Sequence, residues 1–113
     1  MEFTASLEGQ IGILALYGAL NSGNAPSLTI RAFALCDSGV RAIVVEMDEV
    51  PHLTSSGFRS FIAIKRRASQ KGIPLVLCGM NDVVRELFDI GGMLGTFTIA
   101  TDRASALAVL ARG

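Results

Sequence analysis

The sequence alternates strand-like and helix-like segments after an initial pair of strand-like runs, and this order constrains the fold more than any single motif. The runs RAIVVEM (41–47) and IPLVLCG (73–79) are short and almost entirely aliphatic, as expected for strands that are covered on both faces of a sheet. Each run is followed by a segment with helical signals. Because neighbouring parallel strands need a crossover, usually a helix, this order predicts an α/β fold with a mixed sheet.

Local signals place the individual elements. The runs 3–7 and 11–16 flank a Glu-Gly-Gln turn and predict an N-terminal β-hairpin. Pro26 is suited to the first turn of a helix, Gly72 to a left-handed C-cap and Asn81 to an N-cap. The other expected strands cover 41–47, 73–79 and 96–100, and the expected helices cover about 25–37, 56–70, 81–88 and 102–110. The predicted order is β-β-α-β-α-β-α-β-α, with the helices packed on the sheet.

Composition predicts a single domain over residues 1–113 and excludes several classes of protein. Half of the 113 residues are hydrophobic, which is enough for one core. Ten basic and ten acidic residues cancel, so no overall charge favours nucleic acid or an anionic membrane. No apolar run reaches the roughly 18 residues of a membrane span, and the N-terminus lacks the features of a signal peptide. We therefore expect a cytoplasmic protein.

The cysteines and the histidine do not suggest a metal or cofactor. Cys36 and Cys78 each lie inside an apolar run, so we expect both to be reduced core residues. With a single histidine at an unrelated spacing, they argue against a zinc site. No glycine-rich phosphate loop is present to hold a nucleotide.

The segment LTSSGFRSF (53–61) places two serines and a glycine in front of an amphipathic run, in a loop that leaves the carboxyl end of a predicted strand. Ser55 or Ser56 can serve simply as the helix N-cap. Alternatively, a kinase can modify a serine here. A GxSxG nucleophile elbow is absent, and no carboxylate is placed to orient His52 as a general base for Ser55. We therefore expect no enzymatic activity and no catalytic residues.

Basic residues are concentrated around this segment. Residues 50–81 contain five Lys or Arg and no Asp or Glu, a net charge of +5. The cations from Lys65 to Lys71 are favoured at a helix C-terminus. Arg59, however, falls in a first helical turn, where the dipole disfavours a cation. It could pair with a phosphate added nearby or with an acidic partner.

Two further segments have alternative interpretations. Asn21, in GALN (18–21), is either a turn residue or a side chain that faces Ser55 from a neighbouring loop. Met93 and Leu94, in GGMLG (91–95), either pack under the edge of the sheet or form an exposed apolar contact site.

Four segments together resemble the STAS domain, most closely the small single-domain bacterial anti-sigma factor antagonists. They are GALN, AIVVEMDEVPHLTSSGF, GIPLVLCGMNDVVRELFDIGG and ASALAVL, and their order and spacing match from about Phe3 to Leu110. The resemblance implies a mixed sheet with helices on one face and with the helix after the serine pair at a partner surface.

The resemblance also implies a switch. In such antagonists the first serine of an Asp-Ser-Ser-Gly motif, here Ser55, is phosphorylated by the anti-sigma factor, a serine/threonine kinase. The unmodified form binds that kinase and frees the sigma factor, and a cognate phosphatase restores the serine. We predict a partner surface that includes Asn21, Thr54, Ser56, Gly57, Phe58, Arg59, Met93 and Leu94.

Two residues depart from the family pattern. Thr54 replaces the acid before the serine pair, which makes it an alternative phospho-acceptor, and Asn21 replaces an aspartate. A second function therefore stays open: a scaffold subunit of a stressosome-like or membrane-transport assembly. A homodimer is also left open.

Overall fold

The sheet is mixed because only its first strand runs against the others. The computed structural model describes residues 2–112 and contains five strands in the order β1-β2-β3-β4-β5. β1 pairs antiparallel with β2, and the remaining neighbours are parallel. The elements are β1 (Glu2–Glu8), β2 (Ile11–Tyr17), α1 (Ala25–Cys36), β3 (Ala42–Glu49), α2 (Ser55–Gln70), β4 (Leu75–Cys78), α3 (Asp82–Ile90), β5 (Thr98–Ala100) and α4 (Arg103–Arg112). The predicted fold class and element order are confirmed.

The helices cover both faces of the sheet, and here the expectation of helices on one face is wrong. α1, α2 and α3 enclose the larger core, which includes Leu14 and Val45 from the sheet. α4 lies on the opposite face, where Ala106 packs in a second cluster with Ile13 and Val44. Since β3 and β4 are apolar on both faces, the face left open by the first three helices needs its own cover.

Backbone hydrogen bonds determine where several helices and strands begin and end. β4 is shorter than predicted because the Ile73 amide donates to the Ala68 carbonyl at 2.8 Å and so closes the end of α2. β5 begins later than predicted because the amides of Thr96 and Phe97 donate to the Met93 carbonyl. Gly72 has a φ of 68°, in the left-handed region that glycine adopts without the steric cost of a Cβ. Its predicted role as the C-cap glycine of α2 is therefore confirmed.

Four phenylalanine rings pack together and connect α2, α3 and the residues just before β5. The Phe88 ring lies 5.0 Å from Phe58, 6.0 Å from Phe61 and 5.8 Å from Phe97, measured between centroids. The contacts with Phe58 and Phe97 are edge-to-face, the arrangement that aromatic quadrupoles favour. Phe88 is fully buried and is paired with all three other rings, so it is the centre of this cluster.

Both cysteines are free, buried thiols, as predicted. Burial raises the pKa of the Cys36 thiol, and burial, followed by the nearby Glu46 and Asp48 carboxylates, raises the pKa of Cys78 to about 12. Within residues 2–112, no helix combines the length and apolar character needed to cross a bilayer.

Replacing Phe88 with alanine tests the aromatic cluster. We expect Phe88→Ala to lower the free energy of unfolding by about 3–5 kcal/mol, because it removes a fully buried ring and leaves a cavity. Urea denaturation followed by circular dichroism measures the change. Val83→Ala is the control on the same helix, since Val83 is 55% exposed; its effect should stay within about 0.5 kcal/mol. Equal effects of the two substitutions would contradict this description of the core.

Candidate functional site

Two loops at the carboxyl edge of the sheet are paired by backbone hydrogen bonds. Leu20, after β2, and Leu53, after β3, form an isolated parallel bridge. The Leu20 amide donates to the His52 carbonyl at 3.2 Å, and the Thr54 amide donates to the Leu20 carbonyl at 3.0 Å. The parallel pairing of β2 and β3 thus resumes beyond the strands and fixes the loop that leads into α2.

A third loop joins them through Asn81. Its side-chain oxygen accepts from the Val84 amide at 2.8 Å, which confirms the predicted N-cap of α3. Its side-chain nitrogen donates to the Val50 carbonyl at 3.2 Å. Sequence reasoning identified the cap but missed this second bond, since Val50 lies in a loop distant along the chain.

Helix α2 begins one residue earlier than predicted. Thr54 is the N-cap, and the Gly57 and Phe58 amides donate to its carbonyl at 2.9 and 3.2 Å. The interpretation of Ser55 or Ser56 as the cap is therefore wrong, because both residues already lie within the helix. The Thr54 side chain forms no capping hydrogen bond, and the first turn of α2 contains no acidic residue.

The two serine hydroxyls have different environments. Ser55 is exposed, and its hydroxyl has no hydrogen-bond partner among residues 2–112. The Ser56 hydroxyl accepts from an Arg59 guanidinium nitrogen at 3.2 Å. Arg59 is exposed, and with Ser56 it lines a shallow groove of about 280 Å³ between α1 and α2. Ser55 is thus the serine that is free to react, and Arg59 is a cation one turn away.

Gly57 lets the first turn of α2 sit directly on the bridged loops. A Cβ at this position would lie 3.1 Å from the Leu53 Cβ and 3.2 Å from the Leu20 Cβ. Those atoms are attached directly to bridged backbone and have little room to move. The glycine of the Ser-Ser-Gly motif is therefore required by close packing, which turns Ser55 outward.

Asn21 lies in the loop beside this site but acts as a turn residue. Its side-chain oxygen accepts from the Gly23 amide at 2.9 Å, and its carbonyl accepts from the amides of Asn24 and Ala25 at the start of α1. The structure therefore brings the Asn21 loop next to the Thr54 loop without a side-chain hydrogen bond from Asn21 to Ser55.

The predicted apolar partner residues are only partly exposed. Phe58, Met93 and Leu94 are each intermediate in burial and pack against the larger core. This supports the packing interpretation of the GGMLG segment. Partner binding through these three side chains stays a prediction.

Sequence reasoning missed the polar contact that fixes α1 against α2 near the site. Ser60 is the one buried polar side chain among the described residues, at 5% exposure. Its hydroxyl donates to the Ala25 carbonyl at 3.3 Å and pairs with the Thr29 hydroxyl. Ser60 lies three residues after Gly57 and four before Ile64, which places it on the buried face of α2. This spacing is the sequence signal from which its burial could have been predicted.

Comparison with known proteins shows the family. A family model described as the STAS domain matches residues 3–106. BtrV of Bordetella bronchiseptica, named as an anti-sigma factor antagonist, is 34% identical over 96 residues, which cover 85% of this chain and 83% of BtrV. The chain belongs to the STAS domain family.

Solved structures show the same fold. An anti-sigma-factor antagonist (STAS) domain protein from Planctomyces limnophilus matches with a TM-score of 0.88 at 12% identity, covering 96% of this chain and 97% of its own. The anti-sigma factor antagonist SpoIIAA, in its unphosphorylated form, matches with a TM-score of 0.75 at 14% identity, covering 99% of both chains. At these identities the likeness concerns the fold.

Substituting Gly57 tests the close packing at the start of α2. Gly57→Ala should lower stability by about 1 kcal/mol, since overpacking costs about 2 kcal/mol in the middle of its usual range and alanine regains roughly 1 kcal/mol from helix propensity. Urea unfolding is the measurement. Gly95→Ala is the control because a Cβ there has no atom within 4 Å. A Gly57→Ala variant as stable as the parent would contradict the packing argument.

Replacing Thr54 tests the uncapped helix start. Thr54→Asp should raise stability by about 0.5–1 kcal/mol, since aspartate is a better N-cap and its charge opposes the helix dipole. The dipole lowers the pKa of the new carboxyl in the folded state, so the charge-dependent gain is complete above its unfolded value and declines as the pH falls below about 4.

Thr54→Asn is the matched control, because it can cap without a charge and its gain should not change between pH 7 and pH 3. Chemical denaturation at both pH values separates the two contributions. If the Thr54→Asp variant is no more stable than the parent at pH 7, the helix start does not lack a capping interaction, and this description of it is wrong.

Proposed function

We propose that this chain is an anti-sigma factor antagonist, acting as one domain over residues 1–113 in the cytoplasm. In its unphosphorylated state it binds an anti-sigma factor that is also a serine/threonine kinase, and so releases the sigma factor. The observation that carries the proposal is the exposed, uncommitted hydroxyl of Ser55 at the first position of α2. Membership of the STAS family and similarity to BtrV support the partner class.

The start of α2 is chemically suited to carry a phosphate. The amides of Ser55 and Ser56 have no backbone acceptor among the described residues, and free amides at a helix N-terminus favour an anion. Arg59 adds a guanidinium one turn away, already in contact with Ser56. In the transfer, the serine oxygen bonds to the γ-phosphorus of ATP, ADP leaves, and the hydroxyl proton passes to a base on the kinase.

Phosphorylation then opposes partner binding through charge. A phosphoserine adds about −1.5 to −2 charges and a strongly hydrated group. A like charge on the partner about 4 Å away costs about 4 kcal/mol at an effective dielectric near 20, which is roughly a thousandfold in affinity. The antagonist itself does not need to rearrange. A cognate phosphatase, acting on the exposed site, resets the switch.

Thr54 is the second acceptor candidate. Its side chain is exposed and forms no capping bond, so its hydroxyl is as free as that of Ser55. Thr54 and Asn21 replace residues that are acidic in similar antagonists. Fewer negative charges around the acceptor reduce repulsion of the incoming phosphoryl group. We propose Ser55 as the main acceptor because, unlike the N-cap residue Thr54, it lies inside the first helical turn, and because its hydroxyl, unlike that of Ser56, accepts no bond from Arg59.

The surrounding residues form the proposed partner surface. Gly57 brings the bridged loops close to the helix, and Arg59 presents a cation to an acidic partner. Thr54 and Ser56 flank Ser55 in the chain, and Asn21 lies in the neighbouring loop, whose Leu20 carbonyl accepts from the Thr54 amide. Phe58, Met93 and Leu94 supply partly exposed apolar contacts.

The alternative is a scaffold subunit of a stressosome-like or membrane-transport assembly. Size-exclusion chromatography with light scattering distinguishes the two functions. A monomer or homodimer fits the antagonist, and a particle of megadalton mass fits the scaffold.

Variants of Ser55 test the proposed switch. Ser55→Glu should weaken binding to the cognate anti-sigma kinase by at least about tenfold, because a fixed charge reproduces part of the phosphate's effect. Ser55→Ala should bind like the parent but lose most phosphate incorporation. Isothermal titration calorimetry measures the first effect and labelling with radioactive ATP the second.

The matched control uses the neighbouring serine. Ser56→Ala should leave phosphate incorporation at Ser55 in place, since the Ser56 hydroxyl already accepts from Arg59. Undiminished binding by Ser55→Glu together with full labelling of Ser55→Ala would overturn the proposal.

A further inference from the structure

A well-defined cavity lies at the edge of the sheet opposite to Ser55. It measures about 390 Å³ and is bounded by the C-terminal half of α2, the first residues of β3 and β4, the approach to β5 and the last turns of α4. The partner surface proposed above contributes no residue to it. It therefore needs its own explanation.

The rim of this cavity carries two cations that form no salt bridge with residues 2–112. Arg41 and Lys65 both line it, and no Asp or Glu does. The ion pairs found among the described residues involve Arg67, Lys71 and Arg103 instead. Lys65, one of the five cations of segment 50–81, thus contributes its charge to this cavity.

Hydroxyls and an apolar floor complete the lining. Ser69, Thr96 and Thr98 lie on the rim, and their hydroxyls form no hydrogen bond with residues 2–112. The floor consists of side chains that are almost fully buried, among them Ala68, Leu75 and Leu110. A concave apolar surface with a few convergent polar groups is the usual form of a small-molecule site.

We propose that this cavity binds a small amphipathic anion, with an apolar body and one carboxylate or phosphate head. The head pairs with Arg41 and Lys65 through charge-assisted hydrogen bonds, and the rim hydroxyls donate to its remaining oxygens. The apolar body covers the floor formed by α2, β4 and α4. The volume is at the lower end of the roughly 300–1,000 Å³ seen for ligand pockets, which favours a short chain or a single ring. The inference does not rest on the proposed function.

A titration with three probes of equal chain length tests both parts of the ligand. Octanoate, octyl phosphate and octanol are added to the ¹⁵N-labelled full chain, and amide shifts are followed by NMR. Both anions should give saturable shifts at Arg41, Ser69 and Thr98, and octanol should bind at least about tenfold more weakly. The anion with the lower dissociation constant identifies the head group. Saturable binding by neither anion overturns the proposal, as does equal affinity for octanol.

Two variants locate the site. Arg41→Gln combined with Lys65→Gln should weaken anion binding at least about tenfold, whereas Arg66→Gln, on the same helix but outside the cavity lining, should not. Ser69→Trp fills the cavity from an exposed position and should abolish binding, with Gln70→Trp as its control. Undiminished affinity in both test variants would refute the site even if the anion binds elsewhere.

Discussion

The Leu20–Leu53 bridge is the constraint on which the edge of the sheet next to Ser55 depends. It continues the parallel pairing of β2 and β3 into two loops that would otherwise have separate conformations. The first turn of α2 rests on this bridge through Gly57, and no larger residue fits without displacing the two leucines. Because one side of the turn is held this closely, the opposite side, with Ser55, is presented to solvent.

The first turn of α2 is held firmly on one side and exposes the Ser55 hydroxyl on the other. Asn81 links the third loop to the same edge, and Ser60 links α1 to α2 just behind it. The Ser55 hydroxyl, in contrast, forms no hydrogen bond with residues 2–112. A charge added there changes what a partner meets without disturbing the contacts that hold the helix. The switch that we propose at Ser55 therefore works by electrostatics rather than by refolding.

Much of the fold was predictable because local signals and packing agreed. The Asn81 side chain caps α3, and Gly72 follows the end of α2 because it adopts the left-handed conformation without a Cβ. The apolar runs of β3 and β4 are buried as their patterns indicate. Three features were not predictable. The N-cap moved from the serines to Thr54 because the bridge fixes where the loop ends. The α4 position and the Arg41–Lys65 cavity arise from contacts between residues distant along the chain, which no local pattern specifies.

Localisation of the phosphate tests the central claim most directly. The chain is incubated with ATP and the anti-sigma kinase that we propose as its partner, and tandem mass spectrometry maps the modified residue. The account predicts one phosphate, on Ser55, in the peptide that contains Thr54, Ser55 and Ser56. Phosphate on Thr54 would move the switch to the helix cap. An unmodified peptide, with a kinase that is active on a control substrate, would contradict the account.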